Sequence, residues 1–329
     1  MLLNSSVSGR IGVSKIPVGQ ETAVEVLKPF NNLILDTFLN SVNSGNCTII
    51  PYLGSGGSNV IGAYCAVGTG STPPLPSDVG LVNKVFEINS GAVNNGSKVV
   101  YNEPENRMEL YERKKIQFMA SSAAYNLSEI LIGATSSPTT AYPHISRSLF
   151  KDGVGNPTTV NIQVGEILII EYELIFHIPL SFSETRTIKE VPTTVTYFIY
   201  GSSTAAMLPI TRVAYLPSGY ALSSNPTYYK ATAISKPSYP VPVNTDGWTF
   251  VSGSLFSNQP PLNTGNGIKA RTRIALAALT GHPIGSLNVS PNSGVGSTQC
   301  GAVLTFDPPI TKLGTEVFDL ESYMILSRG

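Results

Sequence analysis

The sequence predicts a mainly β protein, an antiparallel β-sandwich or jelly-roll-like fold with one short amphipathic helix near its N-terminus. Three observations lead there. Many short runs alternate apolar and polar residues or are rich in β-branched and aromatic residues. Asn-Gly, Asp-Gly, Pro-Ser-Gly and Asn-Pro combinations, whose φ preferences favour turns, separate them. Helical periodicity, by contrast, is evident in one place only, and no fixed-period repeat suggests a solenoid or propeller.

In chain order, residues 1–20 are Ser-, Gly- and Val-rich and predict an extended arm. Residues 22–28 alternate well enough for a strand. The helix follows, with Phe30, Leu33, Ile34, Phe38 and Val42 on one stripe, Asn31 or Asn32 as its cap and Gly45 just past its end. Strands are expected at Ala63–Val67, Lys84–Ile88, Lys98–Tyr101, Leu110–Phe118, Leu127–Ile132 and Thr158–Ile162. Further ones are expected at Thr193–Tyr200, Arg212–Tyr215, Tyr228–Ala233, Gly247–Phe256, Ile268–Ala277, Ala302–Phe306 and Glu316–Leu326.

The clearest strand is 166–178. Leu168, Ile170, Tyr172, Leu174, Phe176 and Ile178 share one face, while Ile167, Ile169, Glu171, Glu173, Ile175 and His177 lie on the other, which is only partly apolar and predicts a central strand with one core face. Lys151-Asp152-Gly153 to Gly155-Asn156-Pro157 reads as a hairpin connection. Pro179 ends the long strand and 181–191 reads as a connection. The domain reading is therefore an arm over 1–20 and a β-sandwich over 21–329, split near 181–191 if there are two subdomains.

Composition narrows the function classes. Of 329 residues, 42% are apolar, so a sizeable core is available and composition-driven disorder is excluded. Only 13% are charged, and 21 basic residues balance 21 acidic ones. A neutral chain has no global field for nucleic acid and no polybasic membrane signal, and low charge favours self-association. The longest apolar run, Ile274–Leu279, is far shorter than a membrane span. No signal-peptide pattern opens the sequence. Cys47, Cys65 and Cys300 are odd in number and scattered, which suggests small buried thiols in a reducing compartment.

Few residues offer chemistry. Glu171 and Glu173, two apart on a strand, would lie roughly 6–7 Å apart, near the separation of an inverting glycosidase pair. A solvated strand face paired with Lys or Arg on the neighbouring strand is the stronger reading. His144, His177 and His282 lack metal-ligand spacing and read as turn or surface residues; a Ser-His-Asp triad would need distant assembly. No nucleotide-binding loop is present, since Gly54–Ser58 lacks the following Lys. Arg113-Lys114-Lys115 reads as a solvated edge that discourages strand pairing. Asp246-Gly247 and the 263–267 segment hold too few carboxylates for calcium. Tyr215, Tyr220, Tyr228 and Tyr229 are candidate contact residues on loops for protein or glycan. Hence no catalytic, cofactor-binding or metal residue is assigned, and no cofactor is expected.

Three stretches, in order, carry a resemblance. The first runs from Asn32-Leu33-Ile34-Leu35-Asp36 to Ala66-Val67-Gly68-Thr69-Gly70-Ser71-Thr72-Pro73-Pro74-Leu75-Pro76-Ser77-Asp78. The second joins Asn126-Leu127-Ser128-Glu129-Ile130, Ser146-Arg147-Ser148-Leu149-Phe150, Gly165–Leu168 and Tyr172-Glu173-Leu174. The third is Leu304-Thr305-Phe306-Asp307-Pro308-Pro309-Ile310-Thr311-Lys312, with Ser327-Arg328-Gly329 beyond it where the pattern carries a Trp-containing tail. Together they resemble a family of structural virion proteins of tailed bacteriophages, often labelled tail or fibre proteins. Ile130-Leu131-Ile132 departs from the family's Val-Gly after the Glu.

The resemblance implies a homo-oligomeric component of the virion at the tail, neck (collar) or fibre base, made in the bacterial host cytoplasm. Its partners would be copies of itself and other virion proteins, without membrane insertion or nucleic acid. A receptor- or glycan-binding tip module is the alternative, and a glycan depolymerase using Glu171 and Glu173 a third. The expected mechanism is assembly, with Gly68 and Gly70 permitting a tight backbone path, Pro73, Pro74 and Pro76 stiffening it, and Asp307-Pro308-Pro309 stopping a strand.

Overall fold

The structure, a computed structural model, describes residues 2–44, 64–89, 92–102, 104–140, 142–179, 181–201, 227–231, 248–251, 256–259, 268–274, 283–289, 300–311, 313, 315 and 318–329. Among the described residues it is mainly β, with one helix and antiparallel ladders, as the sequence predicts. Two compact units divide the chain. One comprises Ser6–Val100, Glu109–His177 and Leu326–Gly329; the other comprises Met1–Ser5, Tyr101–Met108 and Ile178–Ile325.

The first unit is built on β1 (Leu2–Ile16), β2 (Val24–Ile34), α1 (Asp36–Asn43), β3 (Tyr64–Gly68), β4 (Lys84–Asn89), β5 (Ala92–Asn102) and β6 (Arg107–Ala120). β7 (Tyr125–Leu127), β8 (Glu129–Gly133), β9 (His144–Leu149), β10 (Val160–Ile162) and β11 (Ile167–Pro179) complete it. The strand order is β4-β3-β8-β9-β2-β1-β11-β6-β5, and β7 pairs with β10 separately.

Residues 2–16 are not a free arm: β1 is an interior strand between β2 and β11. Val7, Ile11 and Val13 alternate into the core, and Ser8, Arg10 and Ser14 face outward. A Cβ at Gly9 would collide with the Asn32 amide on β2, so any larger residue there displaces that side chain. β11 has the predicted core face, with Leu168, Ile170, Tyr172, Leu174 and Phe176 all buried.

The helix is shorter than its periodicity implies. Phe30, Leu33 and Ile34 belong to β2, where Phe30 pairs with Ile11, Leu33 with Arg147 and Ile34 with Ser146. Ladder hydrogen bonds to two neighbours outweigh a helical stripe that spans both elements. Leu35 rather than Asn31 or Asn32 occupies the cap position, without a side-chain cap bond. The Asp36 N–H donates instead to the Pro76 carbonyl at 2.8 Å. Phe38, Leu39 and Val42 bury the inner face of α1. Gly45 lies outside the described residues.

Three further expectations are corrected. β6 is flanked by β11 and β5, so Arg113-Lys114-Lys115 is no edge. Lys114 is buried, and desolvation lowers its pKa against the opposing effect of Glu112. His144 is buried in β9 and stacked on Tyr64, its ring nearly parallel at 5.5 Å, while His177 is a half-buried strand residue. His282 lies outside the described residues. The hairpin connection at 151–157 is present: Lys151 bridges Pro157, and Asp152 Oδ1 accepts from the N–H groups of Val154 and Asn156.

In the second unit, β12 (Ser181–Ile188), β13 (Val191–Gly201), β14 (Thr227–Ala231), β15 (Trp248–Val251), β16 (Phe256–Gln259), β17 (Ile268–Ile274), β18 (Pro283–Val289), β19 (Cys300–Thr311) and β20 (Phe318–Arg328) follow. One sheet runs β12-β13-β19-β18-β14-β15, and β17 pairs with both β16 and β20. Residues 181–188, read as a connection, form a hairpin with β13 whose two turn residues, Lys189 and Glu190, both have positive φ. Asp307-Pro308-Pro309 does not stop β19. The ladder to β18 shifts register between Ile284 and Ser286, and this irregularity accommodates the prolines. No helix among the described residues is long and apolar enough to cross a membrane.

Candidate functional site

The most tightly organised feature of the first unit is the loop from Thr69 to Asn83, between β3 and β4. Two buried charges hold it. Glu129 opens β8 and Arg147 lies on β9, opposite Leu131 and therefore diagonal to Glu129 on the same face. Arg147 NH2 donates to Glu129 Oε2 at 2.8 Å, with side chains 1% and 0% exposed. The two terminal nitrogens also reach the loop, Nη1 donating to Asp78 Oδ2 at 2.5 Å and Nη2 to the Thr72 carbonyl at 3.1 Å, whereas the buried Nε makes no hydrogen bond.

Glu129 completes the clamp as an acceptor. The N–H groups of Gly70, Val82 and Asn83 donate to its carboxylate at 3.0, 3.1 and 2.7 Å. Burial by itself pushes this carboxyl upward, but the Asn83 N–H, Arg147 and the Val82 N–H more than offset it and leave it below its ordinary value. Arg147 is likewise disfavoured by burial, and its bonds to Glu129 and Asp78 more than compensate, so its pKa is raised.

Small residues make the approach close enough. A Cβ at Gly68 would strike the Asn83 carbonyl, and one at Gly70 would strike the Glu129 carboxylate. Elsewhere His144 Nδ1 bonds the Val79 carbonyl at 2.8 Å, and Ser128 Oγ donates to the Gly70 carbonyl at 2.9 Å. Leu81 turns inward against Leu35, Tyr64, Ala66 and Leu131. Leu75, Val79 and Val82 point the other way, 56%, 69% and 59% exposed. The loop is thus fixed from behind by polar bonds and presents apolar side chains outward.

A second clamp lies on the same unit. Arg328 pairs with Asp36 at 2.6 Å and donates through Nε to the Ile34 carbonyl at 2.7 Å. The charged residues of widely separated stretches, Asp36, Asp78, Glu129, Arg147 and Arg328, therefore pair with one another.

On the other face of β11, polar residues of β1, β11 and β6 lie beside the buried Ile169 and Ile175. Glu173 accepts from Arg113 Nε at 2.6 Å, with Arg10 NH1 3.8 Å away on the partner strand, which is the cross-strand pairing expected there. Glu171 is exposed opposite Gly12. This arrangement places the Glu173 carboxylate between two guanidinium groups.

Nearby, Ser8 Oγ and His177 Nε2 lie 2.9 Å apart, and His177 Nδ1 lies 3.6 Å from Glu109 Oε1. The three strands thus assemble a Ser, a His and a Glu that no local motif announces. The second gap exceeds hydrogen-bond length, and Glu109 is held by the Tyr111 hydroxyl at 2.5 Å.

Tyr228 and Tyr229 lie on β14, opposite Val251 and Phe250 on one side and Leu287 and Ser286 on the other, so they are ladder positions and not loop residues. Tyr215, Tyr220 and the 246–247 and 263–267 segments lie outside the described residues. Cys65 is a buried free thiol whose pKa desolvation pushes up. Among the described residues, no group of three or more His, Cys, Asp or Glu side chains could hold a metal ion. No protein-family model, curated protein or solved structure matches the chain.

Proposed function

We propose that this chain is a structural component of a tailed-phage virion, a β subunit that assembles with copies of itself and other virion proteins at the tail, neck or fibre base. The observation that carries this reading is the clamped loop, in which three large apolar side chains are presented on a backbone fixed by a buried ion pair. A surface ordered before contact loses little further conformational entropy on docking, which favours association. The stretches that carry the resemblance supply the parts: Gly68, Gly70 and Asp78 from the first, Glu129 and Arg147 from the second.

Neutral overall charge supports the same reading, since copies of this chain do not repel. The glycan-binding alternative loses two of its four tyrosines to strand β14. Function here is assembly, located in the particle after synthesis in the bacterial host. Immunogold electron microscopy of virions, paired with particles from a phage lacking this gene product, tests it. Labelled tails or necks and defective particles are expected; unlabelled, intact and infectious particles would overturn it.

A further inference from the structure

β12 (Ser181–Ile188) ends its sheet. Among the described residues it pairs only with β13, and Ser183, Thr185, Arg186 and Thr187 along it are exposed. It contains no proline, and its ladder to β13 runs from Ser181 to Ile188 without a register shift. Such an edge is a ready template for another strand.

Backbone geometry fixes which groups the edge offers. The two-residue Lys189-Glu190 turn, with both φ values positive, makes Ile188 and Val191 a hydrogen-bonded pair. Bonded pairs alternate along an antiparallel ladder, so Phe182, Glu184 and Arg186 also bond to β13. The N–H and C=O groups of Ser183, Thr185 and Thr187 therefore point to the open edge.

Side chains choose the partner. Phe182, Glu184, Arg186 and Ile188 share the face of the buried Thr193 and Val195, while Ser183, Thr185 and Thr187 lie on the other. A lone inward charge on an edge strand discourages pairing, but here two opposite charges stand two residues apart. Antiparallel pairing with a second copy, centred on Thr185, sets Glu184 of each chain against Arg186 of the other and Phe182 against Ile188. Ser183 then faces Thr187 and Thr185 faces its own copy, so the outward backbone groups meet as well. Sliding by two residues puts Glu184 on Glu184 or Arg186 on Arg186, and sliding by one sets the charged face against the hydroxyl face. One register is matched and its neighbours are penalised. Within one chain Arg186 Nε lies 2.6 Å from Glu184 Oε1 without the alignment of a hydrogen bond. Pairing joins the charges of both copies into one cluster of alternating sign.

We propose that β12 is a homodimer edge, pairing antiparallel with β12 of a second copy in the register centred on Thr185. This contact is separate from the loop between β3 and β4 and does not depend on it.

Cysteine placement in the full-length chain tests the register. Thr185 lies on the two-fold axis, where facing Cα atoms are about 5.5 Å apart, within disulfide reach. The two copies of Thr187 lie more than about 13 Å apart, beyond that reach. Mild oxidation should turn a Thr185→Cys chain into a covalent dimer, with about tenfold or more product than a Thr187→Cys chain. The wild-type chain gives the background of its own thiols. Equal yields from the two variants, or none above that background, overturn the proposal.

Charge reversal gives a second measurement, read by native mass spectrometry. Glu184→Arg and Arg186→Glu each set like charges opposite one another and should weaken self-association by about tenfold or more. An equimolar mixture of the two restores pairing as a heterodimer, since each chain then carries one sign. A mixture that associates no better than its components overturns the proposal. A wild-type chain that is monomeric at every concentration removes this contact and the assembly reading together, whereas an oligomer that does not cross-link through Thr185→Cys removes this contact alone.

Discussion

Glu129 and Arg147 meet at 2.8 Å with essentially none of either side chain in solvent, and the pair anchors a loop instead of facing a substrate. Two buried charges are tolerated because each has several partners: three backbone N–H groups reach Glu129, and Asp78 and the Thr72 carbonyl share Arg147, whose Nε alone is left without a hydrogen bond.

Breaking the pair on one side leaves an uncompensated buried charge. Glu129→Gln or Arg147→Leu is expected to cost about 3–5 kcal/mol, read from urea unfolding. Amide exchange at Gly70, Val82 and Asn83 should accelerate in Glu129→Gln well beyond the change at Ile170. Equal acceleration at both places would mean the carboxylate does not hold the loop.

The two glycines of the loop are expected to behave unlike a third. Gly68→Ala and Gly70→Ala force a Cβ onto the Asn83 carbonyl and the Glu129 carboxylate, and should each cost more than about 2 kcal/mol. Gly80, whose added Cβ meets nothing within 4 Å, should accept Ala within about 0.5 kcal/mol. Thermal melts of the three variants check this.

Acid should weaken the fold in a defined direction. The Glu129 carboxyl lies below its unfolded value, so its contribution is complete above about pH 4.3 and is lost as pH falls through its depressed folded value. Desolvation lowers the His144 pKa, and the bond to the Val79 carbonyl only partly opposes it. The unfolded chain therefore takes up that proton first, and stability falls as pH drops below about 6.5. Unfolding free energies measured from pH 8 to pH 3 should show both declines, the lower one reduced in Glu129→Gln and the upper one reduced in His144→Gln.

Apolar loop residues should matter for association and not for folding. Replacing Leu75, Val79 and Val82 together by Ser is expected to leave the melting temperature within a few degrees, since all three are largely exposed. Sedimentation velocity should show a lower oligomer fraction; an unchanged fraction would place the contact elsewhere.

Ser8 and His177 are expected to serve structure. With 3.6 Å between His177 and Glu109, Ser8 should remain unlabelled by a fluorophosphonate at neutral pH. Stoichiometric labelling, absent in Ser8→Ala, would give this face a chemical role.

The class of fold, and the strands whose pattern is local, are readable from the residues alone. β11 is legible because Leu168, Ile170, Tyr172, Leu174 and Phe176 recur at every second position, although Ile169 and Ile175 make its other face partly apolar, and the 151–157 turn because Asp-Gly and Asn-Pro fix it. The composition also set the neutral, weakly charged character on which the assembly proposal draws.

Tertiary structure decided the rest. β9, His144-Ile145-Ser146-Arg147-Ser148-Leu149, is buried at every position yet carries no apolar pattern, because partners on other strands and loops allow its polar residues to be buried. β1 reads as an arm because Gly9 and Gly12 interrupt its alternation, and only the folded chain shows the Asn32 amide lying where a Cβ at Gly9 would sit. The Lys189-Glu190 turn lacks the usual glycine, so only the β12–β13 pairing reveals it. Likewise Gly70 reads only as a residue that permits a tight backbone path, and Glu129 and Arg147 only as members of the resembling stretches. Their common role emerges only when separate stretches converge, since a buried charge is explained by partners that adjacent residues do not supply.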